Sequence, residues 1–151
     1  MGQSLSQMYI HLTFGTKGRY PFIKPAVRET LHAYLAGTLK QLDSPALIIN
    51  SVSDHIHILF RLSKNYSLAK ITEELKKQSS KWMKENKDGH PKFFWQSGYG
   101  AFSVSGSKIE TVKQYIQNQE EHHKQRTYQE EVELFIAKYG IVHYDAHYFW
   151  T

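Results

Sequence analysis

The sequence predicts an α+β chain on the ferredoxin-like, split βαβ plan, an antiparallel sheet with helices on one face. Three observations predict it. Segments of period 2 and period 3.6 follow one another in the order β-α-β-β-α-β-α-α, whose first six members match that plan. The second and third strands are separated only by a tight turn near Ser53-Asp54, which makes them antiparallel neighbours. At 40% hydrophobic, with 10 Tyr, 8 Phe and 3 Trp in 151 residues, the chain can fill the core of one domain spanning residues 1–151.

Each element follows from local pattern. Met8, Ile10, Leu12 and Phe14 alternate with Tyr9, His11 and Thr13, the signature of a half-buried strand. Gly15 to Pro21 is a basic loop carrying Lys17 and Arg19. Pro25 opens a helix to about Leu42, with Val27, Leu31, Tyr34, Leu35 and Leu39 on one face. Asp43-Ser44-Pro45 ends it. Residues 46–53 and 55–62 read as strands. Ser67 caps a helix to about Glu85, with Leu68, Ile71, Leu75 and Trp82 as its apolar stripe and Lys70, Lys76, Lys77, Lys81 and Lys84 elsewhere on it. An aromatic, glycine-containing run from Phe93 to Gly100 leads into a strand over 101–105. Ser107-Lys108-Ile109-Glu110 reads as a capping box opening a third helix, and Thr127-Tyr128-Gln129-Glu130 as another opening a fourth that Gly140 stops. The aromatic tail from Ile141 to Thr151 is an edge strand or a docked segment.

Composition narrows the chemistry. There is no cysteine, which excludes disulfides, thiolate-bound zinc and a cysteine nucleophile. A formal charge of +5 with a pI near 9.3 suits a nucleic-acid partner without requiring one. No long apolar stretch implies a membrane span, and no basic leader implies secretion, so a cytoplasmic protein is expected.

The residues that carry chemistry are His55-Ile56-His57. On a strand both imidazoles share one face, about 6–7 Å apart at roughly 3.3 Å per residue, while Ile56, Ile58 and Phe60 face the other way. Such a pair can hold one metal ion, although His-x-His on a strand more often marks hydrogen-bonded or surface histidines. On the third helix Ile109, Val112 and Ile116 form a buried stripe, and Tyr115, Gln119 and His122 share its flank at roughly 100° per residue. If that helix lies over the polar face of the third strand, a phenol and an amide oxygen meet the two histidines. A phenol with a pKa near 10 is a poor nucleophile unaided. A divalent cation that neutralises a phosphate would relieve that deficiency, and two imidazoles with an amide oxygen suit Mn²⁺ or Mg²⁺ with positions left open. Asp54, by alternation, faces away from both histidines.

His-hydrophobe-His on a strand followed by Tyr-x-x-x-Gln on a helix resembles the HUH single-tyrosine transposases, which include the transposases of small insertion sequences and the REP-associated tyrosine transposases. Further blocks carry the likeness: Tyr9 to Lys17, Trp95-Gln96-Ser97-Gly98-Tyr99 and Tyr115-Ile116-Gln117-Asn118-Gln119. The resemblance implies an HUH or Rep-type nuclease fold. It implies His55 and His57 as metal ligands, Gln119 as the third ligand, and Tyr115 as the nucleophile that forms a 5′-phosphotyrosine link. It implies a divalent metal, Mg²⁺ or Mn²⁺, a single-stranded DNA hairpin as partner, and a homodimer that associates with the nucleoid when acting. His122 and His11 are candidates to line the site, and Lys17, Arg19, Lys77 and Lys81 to contact DNA. The rival readings are a domesticated or non-catalytic hairpin-binding relative and another HUH endonuclease.

Overall fold

The computed structural model describes residues 2–123 and 125–151, without the side chains of His122 and His123. Four strands form its sheet: β1 (Tyr9–Gly15), β2 (Ala46–Ser51), β3 (His55–Arg61) and β4 (Gly100–Val104). They lie in the order β2-β3-β1-β4, all neighbours antiparallel. This is the split βαβ arrangement read from the sequence, with β1 and β3 in the centre.

One face of the sheet carries Leu12, Phe14, Ile56, Ile58 and Phe60. Helices α1 (Pro25–Gln41) and α2 (Leu68–Glu85) cover it with Val27, Leu31, Leu35, Leu39, Ile71, Leu75 and Met83, all buried. Trp95 closes this core edge-on to Phe14 and Phe93, at ring distances of 4.8 and 4.7 Å. Its indole N–H donates to Ser79 Oγ at 2.9 Å, so burial leaves no polar cost there. Lys76, read from sequence among the charges off the apolar stripe of α2, turns inward instead. It donates to the carbonyls of Gln96, Ser97 and Gly98 at 2.7–3.1 Å, and burial lowers its pKa to about 8.

The opposite face is covered too, which corrects the expectation of helices on one face. Helix α3 (Ile109–Gln117) packs Ile116 on Leu59 and Val104, with Ile109, Val112 and Tyr115 around them. Helix α5 (Tyr128–Tyr139) follows the short α4 (Gln119–His123) and buries Tyr128, Glu131 and Val132. The physical reason is the make-up of that face. Leu59 and Val104 are apolar and would be left in water without the second layer.

Two local readings change and one alternative is settled. The third helix is not continuous: it stops at Asn118 and restarts as α4. The Ser107–Glu110 capping box does not form; Ser105 caps a 3₁₀ turn over Gly106–Lys108, and Lys108 precedes α3 without a side-chain cap. The tail is a docked segment rather than an edge strand. It forms α6 (Ala146–Phe149), tied down where Gln96 Nε2 donates to the Phe149 carbonyl at 2.8 Å. The Thr127–Glu130 capping box and the left-handed Gly140 stop (φ 64°) are present as read.

Candidate active site

The polar side chains of the second face gather where α3 and α5 cross β3. His55 and His57 lie on one side of β3, both fully buried. The sheet register sets Gly15 opposite His55 and Thr13 opposite His57 on β1. Gly15 has no room for a side chain: a Cβ there would lie 2.9 Å from the Tyr128 ring. That ring stacks flat on His55 at 3.9 Å and 10°, and its hydroxyl shares a 2.9 Å hydrogen bond with Thr13 Oγ1. Burial, the largest cause, raises the Tyr128 pKa, so the phenol stays neutral.

Tyr115 reaches the same place from α3. Asn50 on β2 explains why the helix sits there. Its amide donates to the Ile116 and Gln117 carbonyls at 2.8 and 3.1 Å, satisfying groups that the end of α3 leaves without helical partners. The Tyr115 ring lies 6.0 Å from that of His57 and 5.6 Å from that of Phe135.

Glu131 joins these groups. Its two oxygens divide between them. Oε1 lies 2.8 Å from His57 Nε2 and 3.7 Å from His55 Nε2, and Oε2 accepts a short hydrogen bond from the Tyr115 hydroxyl. The carboxylate is 1% exposed. His55, His57 and Glu131 each offer one ligand atom within 4.8 Å of the others. Two imidazole nitrogens and a carboxylate oxygen, converging from a rigid strand and a helix, are a donor set that Mn²⁺ and related divalent ions accept. The residues therefore fit a divalent metal.

Tyr115 carries a pKa raised from its ordinary value, first by burial, then by the negative charge of Glu131, with a hydrogen bond from Gln119 opposing the shift. Without a cation nearby it is a protonated phenol. Gln119 is fully buried and serves Tyr115 directly, through that bond and through a 3.5 Å contact to the Tyr115 carbonyl.

Of the other expected residues, His11 lies in the site: its Nε2 is 2.8 Å from His57 Nδ1. The His122 side chain lies outside the described residues. Asp54 reverses its expected direction, its Oδ1 lying 2.7 Å from His55 Nδ1. Alternation stops at the strand end, and Asp54 belongs to the turn, not to β3. Arg19 stands at the edge of the site, donating to Gln129 and lying over the Trp150 ring. It lines, with Arg126, Asp54 and Tyr128, a cleft of about 750 Å³. Lys17 lies 5.8 Å from the Phe94 ring centroid. Lys77 pairs with Glu74, and it and the exposed Lys81 ride on α2, on the far side of the sheet.

Sequence reading missed Glu131, Tyr128 and Phe135. A signal existed. Tyr128, Glu131, Val132 and Phe135 fall at i, i+3, i+4 and i+7, one helical face, and a glutamate on an apolar stripe calls for a buried partner.

Burial also makes the fold acid-sensitive. His11 is lowered to about 3 by burial, with the neighbouring His57 adding, and His32 to about 4 by burial and then Arg28. Both would titrate near 6.5 when unfolded. Below that pH the unfolded chain binds protons that the folded one refuses, so stability is full above about pH 6.5 and falls on acidification. The slope is up to about 1.4 kcal/mol per pH unit for each histidine, and less for the partly exposed His32. The metal-free protein should unfold at lower urea concentration at pH 5 than at pH 7; an equal or higher midpoint at pH 5 contradicts the neutral, buried state of His11.

The family model for IS200-like transposases matches residues 4–119. A crystal structure from Deinococcus radiodurans R1, described provisionally as a transposase, superposes with a TM-score of 0.60 at 21% identity, over 79% of this chain and 96% of that one. A REP-associated tyrosine transposase solved bound to a REP hairpin superposes with a TM-score of 0.59 at 13% identity, over 82% of this chain and 74% of that one. At these identities the structures speak for the fold alone. No curated protein matches the chain.

Proposed function

The chain belongs to the IS200-like transposase family, and on that premise we propose that it cuts and rejoins single-stranded DNA through a covalent link to Tyr115. The observation that carries this reading is the convergence on Glu131. One carboxylate oxygen meets both histidines and the other meets the phenol, so a nucleophile and a metal-capable donor set share one pivot. A binding protein has no chemical need of that pairing.

In this reading His55 and His57 hold a divalent cation, Mn²⁺ or Mg²⁺, through Nε2, with Glu131 Oε1 as an anionic ligand and the buried Gln119 as a further oxygen donor. The imidazoles favour Mn²⁺ over Mg²⁺. When bound, the cation supplies charge neutralisation at the non-bridging oxygens of the scissile phosphate. The chain's own residues do the rest. Tyr115 Oη bonds to phosphorus and the P–O3′ bond breaks, leaving a 3′-hydroxyl on one strand and a 5′-phosphotyrosine on the other. The phenolic proton passes to Glu131 Oε2, already its acceptor, and O3′ takes a proton from water. The covalent bond conserves the energy of the phosphodiester, so an incoming 3′-hydroxyl reverses the step without an external energy source. Gln119 holds Tyr115 through its hydrogen bonds, and Phe135 packs against the Tyr115 and His57 rings.

The solved REP-associated relative is bound to a REP hairpin, which supports a DNA hairpin as the partner here. Phosphates would reach the site along the cleft at Arg19 and Arg126, with Lys17 beside it, whereas Lys77 and Lys81 would serve a more distant part of the DNA. Tyr115 meets the histidines of its own chain, so a homodimer would pair two sites that are each complete. Among the described residues no helix is long and apolar enough to cross a membrane.

The test is covalent capture. The protein is incubated with a library of single-stranded hairpin oligonucleotides with randomised flanks and Mn²⁺, then denatured. The expected result is a protein–DNA adduct that EDTA prevents and that mass spectrometry maps to the peptide containing Tyr115. Hairpin binding without an adduct would favour the rival reading, a non-catalytic relative.

A further inference from the structure

Both histidines of the site are held from behind. His55 Nδ1 lies 2.7 Å from Asp54 Oδ1, and His57 Nδ1 lies 2.8 Å from His11 Nε2. In each ring this leaves Nε2 as the atom turned toward Glu131, at 3.7 and 2.8 Å. We propose that Asp54 and His11 are positioning residues, which fix the rotation and tautomer of His55 and His57 so that both Nε2 lone pairs converge on one cation. The proposal rests on the metal reading above and extends it to two residues that never touch the metal.

The anchoring of both partners is unusually well defined. Asp54 sits in the β2–β3 turn, and that turn is pinned. Thr16 N–H and Oγ1 donate to the Asp54 carbonyl at 2.8 and 3.2 Å, and Ile23 N–H donates to the Ser53 carbonyl at 3.0 Å. The carboxylate can only accept, so it requires a proton on His55 Nδ1 and thereby leaves Nε2 as the lone pair. Tyr128, stacked flat on His55, blocks rotation out of that plane.

His11 is anchored differently. It projects from the central strand β1, 2% exposed, walled by Phe102 and Phe135 at ring distances of 6.1 and 5.5 Å. An imidazole there can either donate to or accept from His57 Nδ1. With Nε2 of His57 donating to Glu131, His11 must donate; with that nitrogen given to a cation, His11 must accept. A histidine satisfies both states without moving, where a carboxylate or a lysine satisfies one.

Partners that orient a metal-bound histidine typically matter 10–100-fold in metal affinity. The experiment measures Mn²⁺ binding by electron paramagnetic resonance, with the number of coupled imidazole nitrogens read from the same samples, and urea unfolding as a fold control. The wild type should bind Mn²⁺ with two coupled nitrogens. Asp54→Ala and His11→Leu should each bind at least about 10-fold more weakly. Asp54→Asn, which keeps an acceptor, and His11→Gln, whose amide can donate or accept, should recover most of the loss. If the wild type binds Mn²⁺ and both truncations bind it as tightly, the positioning role is overturned while the metal reading stands. If the wild type binds no Mn²⁺, the metal reading itself fails. If His11→Leu does not fold, the partly exposed Asp54 decides through its Ala and Asn variants; equal affinity in those two overturns the proposal.

Discussion

Tyr115→Phe is expected to abolish the proposed covalent protein–DNA adduct and to leave hairpin binding intact. The substitution removes one oxygen, the only atom of this side chain able to form the phosphotyrosine bond, and keeps the ring against His57 and Phe135. Fold and DNA surface should survive. The structural cost is that the buried Glu131 Oε2 loses its phenolic donor and Gln119 loses its phenolic partner, about 1–3 kcal/mol for the unsatisfied carboxylate oxygen. The measurement is adduct formation after denaturation, run beside a binding titration on the same hairpin. An adduct that persists at wild-type level in Tyr115→Phe assigns the nucleophile to another residue. Tyr128, the other tyrosine near the histidines, is a poor candidate on geometry: its hydroxyl is directed to Thr13 and its ring is wholly buried.

The second large effect is expected at Glu131. If its carboxylate is a ligand and the proton acceptor for Tyr115, Glu131→Ala removes an anionic donor that neutral groups cannot replace. Mn²⁺ affinity should fall by at least about 100-fold, the upper end of what partners behind the ligands cost, and cleavage should fall with it. Glu131→Gln should restore packing but not charge, and so recover stability more than metal binding. Gln119→Ala should cost less in affinity, since a neutral amide is the weaker donor. A contrary outcome has a clear meaning. Were Glu131 only filling the pocket in the absence of metal, Glu131→Ala would bind Mn²⁺ as tightly as wild type or more tightly. Calorimetric titration of the two variants distinguishes these cases.

Much of this site was legible along the chain. Strand alternation put His55 and His57 on one face and Ile56, Ile58 and Phe60 on the other, and the structure has them so. That inference needs only the twofold repeat of a strand. Helical spacing set Tyr115 on the flank of a stripe whose buried member is Ile116. Spacing failed where regular structure ends. The break at Asn118 lies between Tyr115 and Gln119, so their relation is set by a kink and not by one turn of helix. Asp54 belongs to a turn, where alternation has no force, and it swung onto His55.

By itself, then, the sequence determined the order of strands and helices, the histidine pair, the tyrosine and the family likeness, because each depends on neighbours within one or two turns or strand steps. Only the tertiary structure decided what meets that pair. Glu131 lies 74 residues beyond His57 in the chain, and His11 lies 46 residues before it. The His11 contact comes with the antiparallel pairing of β1 and β3, and the Glu131 contact arises because Leu59, Val104 and Ile116 draw α3 onto the second face of the sheet and α5 follows to bury its own apolar stripe. Burial of apolar surface is not directional, so no local pattern announces which polar groups such packing will bring together.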